Sequence, residues 1–213
     1  MRFALFVIVA SVSLIGCAST GIAVREALGI PKREQLVARV EKARDVQEEA
    51  REQFSSALDE FLALTNADTG ELEATYERLK KELSRSESQA ASVRDRIRDV
   101  ERVGEALFRE WKSELDQYHS EEMRRASQTQ FDRTRRRYDE LIAAMKSAES
   151  RMQPVLDAFN DQVLFLKHNL NARAIASLDR EAASVQSDVA RLIAEMNASI
   201  EQANAFISDM NGQ

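Results

Sequence analysis

Residues 72–118 read LEATYERLKKELSRSESQAASVRDRIRDVERVGEALFREWKSELDQY, and the spacing of their apolar side chains decides the fold. Leu72, Tyr76, Leu79, Leu83, Ser86, Ala90, Val93, Ile97, Val100, Gly104, Leu107, Trp111, Glu114 and Tyr118 recur at alternating steps of four and three. That alternation keeps one stripe turned toward a neighbouring helix along the whole run. At about 1.5 Å per residue the run predicts a helix roughly 70 Å long. Such a helix cannot bury its stripe by itself, so it needs other helices to lie against.

The same alternation continues outward on both sides. Upstream, Leu36, Val40, Ala43, Gln47, Ala50, Phe54, Ala57, Phe61 and Leu64 form a second stripe in which Gln47 is the polar member, and Pro31 suits the first turn of that helix. Between the two stripes, Thr65-Asn66-Ala67-Asp68-Thr69-Gly70 is a sharp turn, and Asp68 with Glu71 resembles a capping arrangement for the following helix. Downstream, Tyr118 to Glu121 is the next turn, with Ser120 as the N-cap. A third stripe then carries Phe131, Tyr138, Leu141, Met145, Ala148, Met152, Val155 and Phe159, drifts to Val163, Leu166 and Leu170, and encloses Pro154, which should kink it. A fourth, from Ile175 through Leu178, Ala182, Val185, Val189, Leu192, Met196, Ser199, Ala203 and Phe206 to Met210, begins out of phase, which puts a break or stutter within His168 to Arg173. The expected fold is therefore all-α, an elongated antiparallel coiled-coil bundle of three to four long helices. Pairing between copies into a homo-oligomer is the competing arrangement, and the short turn at residues 65–70 favours the hairpin within one chain.

Composition agrees with that reading. Glycine and proline number 6 and 2 in 213 residues, too few for a strand-and-turn fold, while 31% of residues are charged. The formal charge of -6 gives no whole-molecule attraction to nucleic acid, so no nucleic-acid partner is expected.

The first residues have a separate logic. Arg2 is followed by an apolar stretch from Phe3 and then by smaller residues up to Gly16, the layout of a secretory signal. Leu14-Ile15-Gly16-Cys17 resembles the lipobox of bacterial lipoproteins, and the resemblance implies diacylglyceryl transfer to Cys17 and cleavage before it. The alternatives are an ordinary, non-lipidated signal and a membrane-spanning anchor, for which Phe3 to Ile15 falls well short of the roughly 20 apolar residues needed. The organisation expected is a signal peptide at 1–16, a lipidated Cys17 with its linker at 17–33 and a helical coiled-coil domain at 34–213. Among Gram-negative lipoproteins the residue after the cysteine influences sorting. Ala18 by that resemblance implies the periplasm-facing side of the outer membrane rather than the inner membrane.

Side chains suited to catalysis are scarce. His119 and His168 are the only two histidines, and no second cysteine exists to pair with Cys17. Asp116 and His119 have the carboxylate-x-x-His spacing of di-metal helical bundles, but His168 does not complete a second motif. Phosphate-cradling glycine loops and zinc spacings do not occur, so neither an enzyme nor a metal or other cofactor is expected. Two stretches remain as binding candidates. Arg124, Arg125, Arg133, Arg135, Arg136 and Arg137 concentrate basic charge that could rest on anionic headgroups or be neutralised by acids such as Asp132 and Asp139 at helical spacing. Lys167, His168, Asn169, Asn171 and Arg173 belong to the least repetitive part of the body, where asparagines fix register, form a turn or contact a partner.

The segments AVREALGIPKRE from Ala23, VEKARDVQEEAREQF from Val40 and VLFLKHNLNARA from Val163 resemble a family of uncharacterised proteobacterial coiled-coil proteins, known only as a domain of unknown function. The resemblance implies secretion, lipidation and a helical body and carries no activity. The leading expectation is a membrane-tethered scaffold or spacer with an envelope protein partner, and the alternative is a periplasmic holdase or accessory binding module gripping clients. Pairing outward from the first turn sets Leu36 against about Val100, so the second helix should overhang by roughly 27 Å at the anchored end, carrying the arginine stretch there.

Overall fold

A computed structural model describes residues 21–22, 25–26, 29–65, 72–169 and 172–212. The leader, Cys17, the first turn with its Asp68 cap, and Asn171 lie outside these residues. Four long helices follow one another: α1 (Lys32–Thr65), α2 (Leu72–Leu115), α3 (Glu121–His168) and α4 (Ala172–Asn211). The first packs on α2 and α4, and the third on the same two, which makes a square bundle whose chain neighbours are also spatial neighbours. Successive helices are antiparallel. Gln53 of α1 meets Glu82 of α2, whereas Lys32 at the other end of α1 reaches Glu110. Likewise Arg94 pairs with Glu149 of α3 while Trp111 bonds Ser127.

The stripes read from the sequence line the interior. All nine members of the first are between 0 and 1% exposed, Gln47 included. Each helix of a square has two neighbours and so buries a wider band than a two-helix seam. That is why Val103 and Phe108 on α2, Leu156 on α3, and Ile200 and Ile207 on α4 are buried beside the expected positions. The second stripe ends early. Gln117 N–H donates to the Glu114 carbonyl, α2 stops at Leu115, and Glu114 and Tyr118 are exposed. Ser120 caps α3 as expected, its hydroxyl accepting from Met123 N–H at 3.4 Å. The helix runs unbroken through Pro154. The interruption falls at Asn169, inside the stretch where the third and fourth stripes change phase.

Polar contacts fix α4 against α1. Ser199 Oγ donates to Gln47 Oε1 at 2.8 Å in the core, and Arg44 to Asn204 and Arg51 to Asn197 bridge the same helices on the rim at 3.1 and 3.0 Å. Gln47 Nε2 is buried without a partner. Removing one member of such a buried pair should cost about 1–3 kcal/mol, whereas replacing both with apolar groups is close to neutral. Urea denaturation should therefore find Ser199→Ala less stable than the parent, and Gln47→Leu with Ser199→Ala more stable than Ser199→Ala alone. Equal stability of the parent and Ser199→Ala would remove the pair from the register argument.

Gly104 performs a steric task at the α2–α3 contact. A Cβ there would lie 2.5 Å from Tyr138 Cζ and 2.6 Å from its Oη. The missing side chain admits the Tyr138 ring, which packs on Phe108 at 5.1 Å and donates its hydroxyl to the Glu101 carbonyl at 3.4 Å. Alanine would gain about 1 kcal/mol in helix propensity, but overpacking costs about 1–3 kcal/mol. Thermal melts should show Gly104→Ala destabilising in the parent and stabilising, by about 1 kcal/mol, in a Tyr138→Leu background. The same sign in both backgrounds would refute the steric account.

Candidate functional site

Several polar contacts and a cleft lie at the end where α1 begins and α4 finishes. Lys32 bonds Glu26 of the preceding stretch at 2.6 Å and Glu110 of α2 at 3.0 Å, while Gln35 donates to the Ile30 carbonyl at 2.9 Å. Burial disfavours the Lys32 ammonium, but the two carboxylates outweigh it and hold its pKa above the ordinary lysine value. These bonds pair α1 with α2 as far as Glu110. The unpaired tip of α2 then runs only from Trp111 to Leu115, roughly 8 Å, instead of the expected 27 Å. The overhang shrinks because α1 starts one turn before Leu36, its Lys32 reaches on to Glu110, and α2 stops before Tyr118.

Under that tip lies a cleft of about 480 Å³ lined by Arg33, Leu107, Glu110, Trp111, Glu114, Gln130 and Met210. Its aromatic wall is held firmly. Trp111 Nε1 donates to Ser127 Oγ at 2.9 Å, its indole meets Phe131 edge-on at 5.7 Å, and Phe131 meets Phe108 in the same way. Arg33 donates to the Met210 carbonyl, satisfying an acceptor that the last turn of α4 leaves open. The lining offers apolar surface from Leu107, Trp111 and Met210, one guanidinium and two carboxylates. Sequence reading passed over Arg33, Glu110 and Gln130, and placed Met210 only in the fourth stripe. The available signal was Trp111 and Glu114, stripe positions that continue past the start of the helix they would face.

The six clustered arginines, Arg124 to Arg137, lie in the first part of α3 at this end and spread over several faces. Arg124 and Arg125 both bond Glu121, at 2.9 and 3.1 Å. Arg135 pairs with Asp139 at 2.9 Å and with Glu105 at 3.1 Å, and lies over the rings of Phe108 and Tyr138. Arg133 and Arg137 converge on Asp209 of α4. Arg136 is exposed, with no ion pair among the described residues. The expected Asp132–Arg136 pair gives way to a bond from Gln128 to Asp132. Five of the six positive charges are thus met by carboxylates, two of which, Glu105 and Asp209, come from other helices.

At the opposite end, Lys167 and His168 are exposed in the last turn of α3, where cations suit the helix dipole. Asn169 terminates the helix, its N–H bonding the Leu166 carbonyl at 3.0 Å and its Nδ2 the Phe165 carbonyl at 2.8 Å. Its role there is turn formation. The side chain of Arg173 is outside the described residues. His119 is exposed in the α2–α3 link, and among the described residues no group of three or more histidine, cysteine or acidic side chains could hold a metal. No helix among them is long and apolar enough to cross a membrane.

One family model matches residues 22–210, nearly all of the bundle and part of the stretch before it. The chain belongs to that family, described as proteins of unknown function (DUF2959). Neither a curated protein nor a solved structure matches it. Membership thus identifies the helical body, from Ile22 to Met210, as the family's shared unit and attaches no chemistry to the cleft.

Hydrogen bonds from Arg124 and Arg125 lower the Glu121 carboxyl to about 2. A depressed carboxylate contributes its stability above the ordinary value and loses it as pH falls through the folded value, so the start of α3 should keep this contact until pH falls toward 2. The pair is fully exposed and solvent screening keeps its contribution small. Carbon-detected NMR titration should find the Glu121 midpoint near 2, rising toward 4.5 in Arg124→Gln/Arg125→Gln. A midpoint near 4.5 in the parent would show the ion pairs to be transient.

Proposed function

We propose that the protein is a lipid-anchored, non-enzymatic scaffold or spacer of the bacterial cell envelope, held by Cys17 on the periplasmic face of the outer membrane. The geometry that carries this reading is the separation of the two ends. The chain approaches α1 through Glu26 and Ile30 at one end, and the α3–α4 link lies at the other, with the 48 residues of α3 spanning roughly 72 Å between. An acylated Cys17 next to the first end would make the bundle a rod standing off the membrane. Two or three acyl chains, at about 0.8 kcal/mol per buried CH2, hold such an anchor firmly. A filled interior suits a spacer, because close-packed side chains resist bending and compression.

A second reading has one observation in its favour. Leu164 and Phe165 are 53 and 41% exposed near the far end of α3, beside Lys167, and could grip apolar segments of a client, as a holdase would.

Mass spectrometry of the membrane-extracted protein should find a diacylated Cys17 as the first residue, and Cys17→Ser should fail to mature and leave the membrane fraction. An unmodified cysteine would end the anchor proposal. Crosslinking and pull-down from intact cells then distinguish the two readings: one stoichiometric envelope protein supports the spacer, many unfolded clients lost in Leu164→Ser/Phe165→Ser support the holdase, and no partner counts against both.

A further inference from the structure

Among the described residues, large apolar side chains are exposed at the two ends of the bundle. Leu164 and Phe165 are at the far end, whereas Ile30, Tyr118 and Met123 share the end where the chain enters. Ile30 precedes α1, Tyr118 is in the α2–α3 link, and Met123, 61% exposed, is in the first turn of α3. The cleft walled by Leu107 and Trp111 opens at the same end. Single exposed apolar residues are ordinary, but three from three elements gathered at one end form a contact surface.

What covers that surface follows from the chain that leads in. Gln35, 2% exposed, donates to the Ile22 carbonyl at 3.4 Å and to that of Ile30 at 2.9 Å, Lys32 holds Glu26, and Ile22 packs against the core. These contacts fasten the stretch before α1 to this end. From Ile22 back to Cys17 the chain spans at most about 17 Å, and back to Ile15, where the apolar run from Phe3 finishes, about 23 Å. Met123 and Leu164 of the same helix are roughly 60 Å apart. A bilayer that holds the N-terminal stretch, by a lipid on Cys17 or by the apolar run itself, is therefore brought to Ile30, Tyr118 and Met123 and stays out of reach of Leu164 and Phe165. Local charge agrees with an apolar contact. Residues 112–125 carry three Lys and Arg against four Asp and Glu, which gives no attraction to an anionic surface. Depth is limited, because the polar backbone of the link has to stay hydrated, and a tyrosine with its hydroxyl suits the headgroup level.

We propose that Ile30, Tyr118 and Met123 seat this end of the bundle in the interface of a lipid bilayer. The proposal rests on the anchoring reading above only for bringing a membrane to this end. Seating gives the rod an orientation that a tether by itself does not supply.

The test uses the full chain reconstituted with phosphatidylcholine vesicles. A tryptophan is placed by Met123→Trp or by Leu164→Trp in a Trp111→Phe background, Trp111 being the chain's one tryptophan. Flotation reports whether the chain is anchored, and quenching by phospholipids brominated near the headgroup end of the acyl chain reports whether the tip is seated. An apolar group at the interface enters about 5–10 Å, so brominated vesicles should lower the fluorescence of Met123→Trp about twofold and leave that of Leu164→Trp unchanged. Adding Ile30→Ser/Tyr118→Ser should diminish the quenching, and neither phosphatidylglycerol nor high salt should alter it. If Trp111→Phe fails to fold, the difference between the two variants with Trp111 retained gives the same reading. Flotation without quenching at residue 123 overturns the seating and leaves the anchor standing, whereas loss of both flotation and quenching overturns the two together. Equal quenching at the two positions, or quenching that needs phosphatidylglycerol and disappears in salt, also overturns the seating. Crosslinks that join residue 123 of two copies in unquenched protein would assign the surface to a second copy instead.

Discussion

None of the four helices can bury its apolar stripe without the other three. A single stripe on a helix of 34 to 48 residues leaves a continuous apolar seam in water, and intrinsic helix propensity is too weak to hold such lengths in isolation. The square arrangement solves this by giving every helix two flanks to cover. The remaining structure follows from how closely those flanks meet. Phe61 of α1 touches Phe159 of α3 across the diagonal at 6.2 Å, which is possible only where the four stripes converge on one axis. Gly104 is the extreme case, a position whose lack of a side chain lets a ring from the next helix occupy the space.

The alternating spacings were enough to identify most buried positions, because a periodic stripe is a local property of the chain. The ends were harder. Sequence extended α2 to Tyr118 since Glu114 and Tyr118 kept the spacing, but a stripe persists only where something lies against it, and α1 starts at Lys32 opposite Glu110. Widened burial at Val103, Phe108 and Ile207 also escaped notice, as it depends on the number of neighbours and not on the period. Ser120 was legible because a capping hydroxyl acts on an N–H three residues away.

Charge was the least legible feature. Arg133 and Arg135 to Arg137 stand out in the sequence because they are consecutive, whereas their fate is decided by Glu105 and Asp209, which are distant in the chain. Arg94 attracts no attention as sequence, and its partner Glu149 is supplied only when α2 and α3 are brought together. With 31% of residues charged, helical spacing alone pairs some cations, such as Arg98 with Asp95 and Arg124 with Glu121, while others, such as Arg94 with Glu149, are met only across helices.

The same physics bears on whether these seams close within one chain or between chains. Apolar stripes of this kind are permissive, since leucine, valine and alanine pack equally well against a neighbour from another copy or against one shifted by a turn. Specificity has to come from positions that tolerate one register. The buried hydroxyl of Ser199 meets Gln47 and would be orphaned by a slip of α4 along α1, while the ring of Tyr138 fits α2 only opposite Gly104. Both pairs are satisfied inside a single chain, one at the α1–α4 contact and the other at the α2–α3 contact, so together they constrain opposite sides of the square. The unpartnered amide of Gln47 is the cost of that choice: a fully apolar layer would bind more tightly and discriminate less.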